Sequence, residues 1–203
     1  MNLLVMAKAP VAGHVKTRLC PPFSPDEAAG IAEAALADTL DAVAACGADR
    51  RIVALAGRAG PWLPPGFDVI PQIDGPFDAR LAAAWSTVGG PCVQIGMDTP
   101  QVTPGLLDAA MSALDDRPAA LGPARDGGWW AIGLQRAEPA AFLGVPMSTA
   151  STGRYQAARL HSLGLRVAVL PTLVDLDTAA DLLDVVAAAP RSRTAALALA
   201  AER

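Results

Sequence analysis

Both lysines of this chain, Lys8 and Lys16, fall in one stretch, Lys8-Ala9-Pro10-Val11-Ala12-Gly13-His14-Val15-Lys16-Thr17-Arg18-Leu19; every other basic residue is an arginine. An ammonium is a compact point charge and a guanidinium is a planar fork, so the two are not interchangeable. Lys8, Lys16 and Arg18 together offer charge-assisted hydrogen bonds to a di- or triphosphate. Gly13 lets a backbone approach closely. The competing reading is a solvated basic loop, and this stretch alone leaves both open. It is not a Walker A loop. Gly13-His14-Val15-Lys16-Thr17 lacks the glycine beside the lysine and the earlier glycine, and Pro21 and Pro22 delay the next helix. No GxGxxG occurs either, which excludes a dinucleotide-binding Rossmann enzyme.

The acidic candidates lie elsewhere. In Gly96-Met97-Asp98-Thr99-Pro100, Asp98 follows an apolar strand, where a hard cation with phosphate oxygens can bind. The alternative is a turn aspartate. In Asp175-Leu176-Asp177-Thr178, two carboxylates at i and i+2 of an extended segment point to one side. Their repulsion is costly unless a cation or base neutralises it. A helix start at Thr178 would explain Asp177 and Thr178 but not Asp175. In Gly122-Pro123-Ala124-Arg125-Asp126-Gly127-Gly128-Trp129-Trp130, paired glycines suggest a tight turn with close ligand approach, and the tryptophans a stacking face. A hairpin turn with core aromatics reads equally well. Strand alternation would turn one tryptophan inward and the other outward.

Elements that would place these residues follow from local pattern. Leu3–Ala7 reads as a buried strand. Ser24, Pro25 and Glu27 open a capped helix that runs to about Cys46. Strands are expected at Arg51–Ala56, near Phe67–Ile70, at Cys92–Gly96, Ala119–Gly122, Trp129–Leu134 and Arg166–Leu170. Helices are expected at Asp78–Thr87, from Thr103 to about Leu114, over Ser148–Leu163 with Gly153 as a weak point, at Ala179–Ala188, and over Thr194–Glu202. Strands alternating with helices predict a three-layer α/β fold, with ligands beyond the carboxyl ends of the strands. No linker or internal repeat interrupts the pattern, so residues 1–203 are expected to form one domain.

The 203 residues are 52% hydrophobic and 18% charged, too apolar for a disordered chain. A net charge of −4 and a pI near 5.1 exclude a global cationic field for nucleic acid. No run is long and apolar enough for a membrane span, and Met1–Ala7 lacks the makings of a signal peptide. A cytoplasmic protein is expected. Cys20, Cys46 and Cys92 are odd in number and carry no CxxC spacing, which argues against a disulfide framework or a zinc site.

Taken together, the motifs resemble those of small bacterial GT-A-fold proteins described as glycosyltransferases or nucleotide-diphospho-sugar transferases, relatives of the guanylyltransferases of deazaflavin-cofactor synthesis. The N-terminal pattern is matched by Lys8, Pro10, Gly13, Lys16, Thr17, Arg18 and Leu19. Gly96, Asp98 and Pro100 match a mid-chain Gly-x-Asp-x-Pro. Gly122, Pro123, Asp126, Gly127, Gly128, Ile132, Gly133 and Leu134 match a third motif, and Asp175, Asp177, Thr178, Asp181 and Leu182 a fourth. Four motifs in order cover nearly the whole chain. Three places depart from the pattern: Trp129 and Trp130 replace tyrosines, Phe77-Asp78-Ala79-Arg80 lacks a glutamate, and Met147-Ser148-Thr149 lacks an aromatic.

The resemblance implies a GT-A-type, Rossmann-like fold with a mixed, mostly parallel sheet and helices on both faces. It implies Mg²⁺ or Mn²⁺ held by Asp98, Asp175 and Asp177. Nucleotide phosphates would meet Lys8, Pro10, Gly13, Lys16, Thr17 and Arg18, and a base or sugar would meet Gly127, Gly128, Trp129 and Trp130. The partners would be an NTP or NDP-sugar and a small-molecule acceptor. In nucleotidyl transfer, a phosphorylated acceptor attacks the α-phosphorus, with Lys16, Arg18 and Asp98 as catalytic groups. In glycosyl transfer from an NDP-sugar, Asp126 would serve as base. A non-catalytic nucleotide-binding module on the same fold is the third reading.

Overall fold

A computed structural model describes residues 1–201 of the chain. The strands are β1 (Asn2–Lys8), β2 (Arg50–Ala56), β3 (Asp68–Pro71), β4 (Cys92–Ile95), β5 (Ala119–Pro123), β6 (Trp129–Leu134) and β7 (Val167–Val169). They form one sheet in the order β3-β2-β1-β4-β6-β5-β7. Only β6 runs antiparallel to its neighbours, β4 and β5; all other pairings among the described residues are parallel. The fold is α/β and Rossmann-like, with a mixed, mostly parallel sheet.

The helices are α1 (Pro25–Ala45), α2 (Phe77–Val88), α3 (Pro104–Asp116), α4 (Thr152–Ser162), α5 (Ala179–Ala188) and α6 (Arg193–Ala201). Strand alternation sends side chains to two cores. Leu3, Val5, Val93 and Ile95 join α1 and α3 on one face. Leu4, Met6, Ile52 and Cys92 join α2 and α4 on the other. A third apolar cluster gathers Leu19, Phe23, Ile31, Val174, Leu176, Leu182 and Val185 around α1, α5 and α6. Ser24 caps α1 in a reciprocal capping box with Glu27, as the sequence suggested, and Thr178 does the same for α5 with Asp181. Cys46 and Cys92 are buried free thiols and Cys20 is a half-buried one. Among the described residues, no helix is long and apolar enough to cross a membrane.

Two elements differ from expectation. The helix expected over Ser148–Leu163 begins only at Thr152, because Ser148 adopts φ 58°, outside helical space. Gly153 is no weak point. Its N–H donates to the Gly127 carbonyl at 2.8 Å, and a Cβ there would lie 2.5 Å from the Gly128 carbonyl oxygen. The terminal helix starts one residue early, at Arg193, and the expected end at Glu202 lies outside the described residues.

Candidate active site

β1 and β4 lie side by side, and the chain departs from them toward opposite edges of the sheet. Such a switch point opens a crevice beyond the carboxyl ends of the two strands. Here Lys8 ends β1, and Gly96 and Asp98 follow β4. A cavity of about 610 Å³ occupies the crevice.

One apolar cluster brings the charged segments together. Leu19 follows Arg18, and Leu176 separates Asp175 from Asp177. Both leucines are fully buried in the cluster of α1, α5 and α6. Turning Leu176 inward sends its two flanking carboxylates the other way, and both line the cavity. The Leu176 N–H donates to the Asp98 carbonyl at 2.7 Å, locking the two acidic segments in register. The segment after β1 is braced by Lys8, whose Nζ donates to the His14 carbonyl at 2.7 Å.

Lys16 is the anomaly of that loop. Its backbone sits at φ 49°, ψ 36°, a left-handed conformation that costs a non-glycine residue on the order of 1 kcal/mol. Its side chain is 6% exposed, with Nζ 2.9 Å from Asp98 Oδ1 and 4.0 Å from Asp177 Oδ1. Arg18, largely exposed, pairs with the other oxygen of Asp177. Lys8 and Arg18 line the cavity, whereas Lys16 lies behind Asp98 and Asp177. Pro10, Gly13 and Thr17 shape the loop and do not line the cavity.

The three aspartates expected around one ion all face the cavity. Among the described residues, however, no three Asp, Glu, His or Cys side chains are grouped as a preformed metal site. The Lys16 ammonium is shared between the Asp98 and Asp177 carboxylates in place of a metal. Burial is the main force pushing the Asp175 carboxyl up to about 7; Asp98, Asp126 and Asp177 push the same way and Lys16 opposes them. A carboxylate under that strain, beside others of like charge, fits a hard divalent cation.

Asp126 stands on the β5–β6 turn. Its Oδ1 accepts the Gly128 N–H at 2.8 Å. Gly127, at φ 89°, passes so close to the segment leading into α4 that a Cβ would lie 2.0 Å from the Ala150 carbonyl oxygen. Gly127 therefore serves close packing of the turn against the entry to α4, while Gly128 leaves room for the Asp126 carboxylate and lines the cavity. Arg125 pairs with Asp184 and not with Asp126. Trp130 is 2% exposed and donates from Nε1 to the Pro171 carbonyl, so it presents no open face for stacking. Trp129 is half-buried on the cavity wall; alternation puts the two tryptophans on opposite faces of the sheet, but each packs on an apolar cluster, so neither is turned outward to solvent.

The same cavity is lined by Arg80 and by Gln72 and Gln94, two residues that sequence reasoning passed over. Gln94 is 1% exposed, and its Oε1 accepts the Trp85 Nε1–H at 2.8 Å, which leaves its amide N–H groups for the cavity. Arg80 donates to Gln72 Oε1, and Gln72 is itself tied to the Ala7 and Ala54 carbonyls. The available signal was a glutamine inside the otherwise apolar strand Cys92-Val93-Gln94-Ile95. The three departures from the family pattern, at Phe77 and Arg80, at Trp129, and at Met147, Ser148 and Thr149, all line this same cavity.

Residues 31–149 match the family described as "Uncharacterized protein conserved in bacteria (DUF2064)". The chain belongs to that family. No curated protein matches it. Among solved structures, the chain is similar to a candidate nucleotide-diphospho-sugar transferase from Desulfovibrio desulfuricans G20, with 27% identity and TM-score 0.86 over 97% of this chain and 92% of that one. It shares its fold with a nucleotidyl transferase from Methanothermobacter at 18% identity and TM-score 0.62, covering 91% and 95% of the two chains. The same fold occurs in the Mycobacterium tuberculosis H37Rv protein Rv0371C, solved in complex with manganese, at 22% identity and TM-score 0.54, covering 92% and 97%.

Proposed function

We propose that the chain is a nucleotide-using transferase, and specifically that it transfers a nucleotidyl group from an NTP to a phosphorylated small-molecule acceptor. One observation carries the reading. Two basic side chains, Lys8 and Arg18, and three acidic ones, Asp98, Asp175 and Asp177, face a single cavity at the switch point of the sheet. Triphosphate chemistry requires both signs of charge in one place, with cations to neutralise the leaving phosphates and carboxylates to carry a metal.

Asp98, Asp175 and Asp177 would hold Mg²⁺ or Mn²⁺, which when bound acts as a Lewis acid and template for phosphate oxygens. The manganese complex of the M. tuberculosis protein supports the use of a divalent metal on this fold. Lys8 and Arg18 bind the β- and γ-phosphates and offset the charge that develops as pyrophosphate leaves. The acceptor phosphate is already an anion, so its attack on the α-phosphorus needs no general base. Trp129 packs against the base or sugar, and Gly128 admits the ligand to the turn.

A glycosyl-transfer reading draws support from the Desulfovibrio relative and from Asp126. With Oδ1 engaged by Gly128, its second oxygen remains to take a hydroxyl proton. Incubation with each NTP, a panel of sugar 1-phosphates, and Mg²⁺ or Mn²⁺ separates the readings. Pyrophosphate release dependent on acceptor is expected; nucleoside diphosphate release from an NDP-sugar, without pyrophosphate from any NTP, would overturn nucleotidyl transfer.

A further inference from the structure

Lys16 holds a position that a phosphate-binding lysine has no need of. It is nearly buried, held on a left-handed backbone, and engaged with two carboxylates of the acidic set instead of reaching into the cavity. We propose that Lys16 is an internal counter-ion that restricts divalent-cation binding to the nucleotide-loaded protein. This inference rests on the transferase reading above and deepens it.

Asp98 Oδ1 already accepts a charge-assisted bond from the ammonium at 2.9 Å. An ion entering at Asp98 would lose that oxygen's full share of charge and would stand beside a like charge on Lys16, whose side chain is only 6% exposed although Asp98 itself is 41% exposed. The acidic side of the pair is rigid, because Asp98 is tied to Leu176 through the backbone and Leu176 is sunk in the core. The loop side can give. Lys16 leaves a strained conformation when it moves, and Lys8 braces the loop independently through His14. Nucleotide phosphates arriving at Lys8 and Arg18 supply an alternative anion for the Lys16 ammonium. As it turns to them, Asp98 and Asp177 are released to the cation. Lys16 is thus a positioning residue for the carboxylates in the free protein and a phosphate partner only in the loaded one. Arg18 plays the same part more weakly, since it is 69% exposed and its pair with Asp177 is solvent-screened.

The test measures binding of MnCl₂ alone to nucleotide-free protein, by electron paramagnetic resonance of free Mn²⁺, at pH 8 so that the carboxylates are ionised. Lys16→Gln is expected to bind Mn²⁺ at least tenfold more tightly than wild type. Lys16→Arg should restore the wild-type affinity, and Arg18→Gln should gain less than threefold. Sodium triphosphate alone, in calorimetry without metal, should bind Lys16→Gln more weakly than wild type. A merely structural lysine would not tighten metal binding when removed. Unchanged or weaker Mn²⁺ binding in Lys16→Gln overturns the proposal, as does micromolar Mn²⁺ binding by nucleotide-free wild type. Should Lys16→Gln fail to fold, Lys16→Met and the Arg18→Gln gain decide on the same criteria. The transferase reading stands or falls separately, on pyrophosphate release with NTP and metal both present.

Discussion

Lys16 and Gln94 are both almost wholly buried polar side chains beside the same cavity, yet they are held in opposite ways. Lys16 is paired with charges, Asp98 and Asp177, that come from distant segments. Gln94 is paired with one neutral partner, Trp85 on the adjacent helix, and keeps its amide donors for whatever enters. The half of the cavity around Lys16 is an electrostatic device of paired charges, and its Asp175 carboxyl is raised chiefly by burial and further by the neighbouring aspartates. The half around Gln94, Arg80 and Trp129 is a shaped wall with its hydrogen-bonding pattern set in advance. The first suits chemistry common to many substrates, and the second suits discrimination among them.

The contrast can be broken or sharpened by experiment. The largest effect is expected for Asp98→Asn, which should lower the rate of pyrophosphate release about 10³-fold, or roughly 4 kcal/mol, with little change in melting temperature. Gly127→Ala should act through the fold instead. Its Cβ has no room against Ala150, and a loss of about 3 kcal/mol would lower Tm by on the order of 10 °C in a calorimetric scan.

The pH dependence of stability probes the charged half directly. Burial raises the Asp175 carboxyl to about 7, so the folded state binds a proton that the unfolded state has lost. The Asp175 contribution to the stability of the metal-free protein should therefore be fully present below about pH 4 and be lost as pH rises toward 7, by at most about 1.4 kcal/mol per pH unit. Asp175→Asn should flatten that slope in urea titrations; an unaltered slope would show the charged half to be uncoupled. In the other half, Gln94→Glu keeps the oxygen that accepts from Trp85 but removes the donors. It should raise KM about tenfold, near 1.4 kcal/mol, with kcat within a few-fold. A kcat loss equal to that of Asp98→Asn would erase the distinction between the halves. Smallest, and confined to stability, is Ser24→Ala, which should cost about 1 kcal/mol through loss of the α1 cap and leave kinetics unchanged.

Local physics made much of the architecture legible in the chain. Capping residues at Ser24 and Thr178, short apolar runs and the glycine-marked β5–β6 turn each act within a few residues, so the elements and their α/β alternation followed from them. The same locality explains the misreading at Ser148–Ser151. Its residues permit a helix, but packing of Gly153 on Gly127 and Gly128 sets where α4 begins, and no local signal carries that contact.

Residue types and spacing by themselves determined that three basic and four acidic positions were out of the ordinary, and that Asp175 and Asp177 share a side. Only the folded chain decided which charges meet. The burial of Leu19 and Leu176 in one apolar cluster draws Lys16 and Arg18 onto Asp98 and Asp177, the Arg18–Asp177 pair across 159 residues. That pairing depends on where hydrophobic side chains collapse together, a property of the whole core that no segment possesses alone.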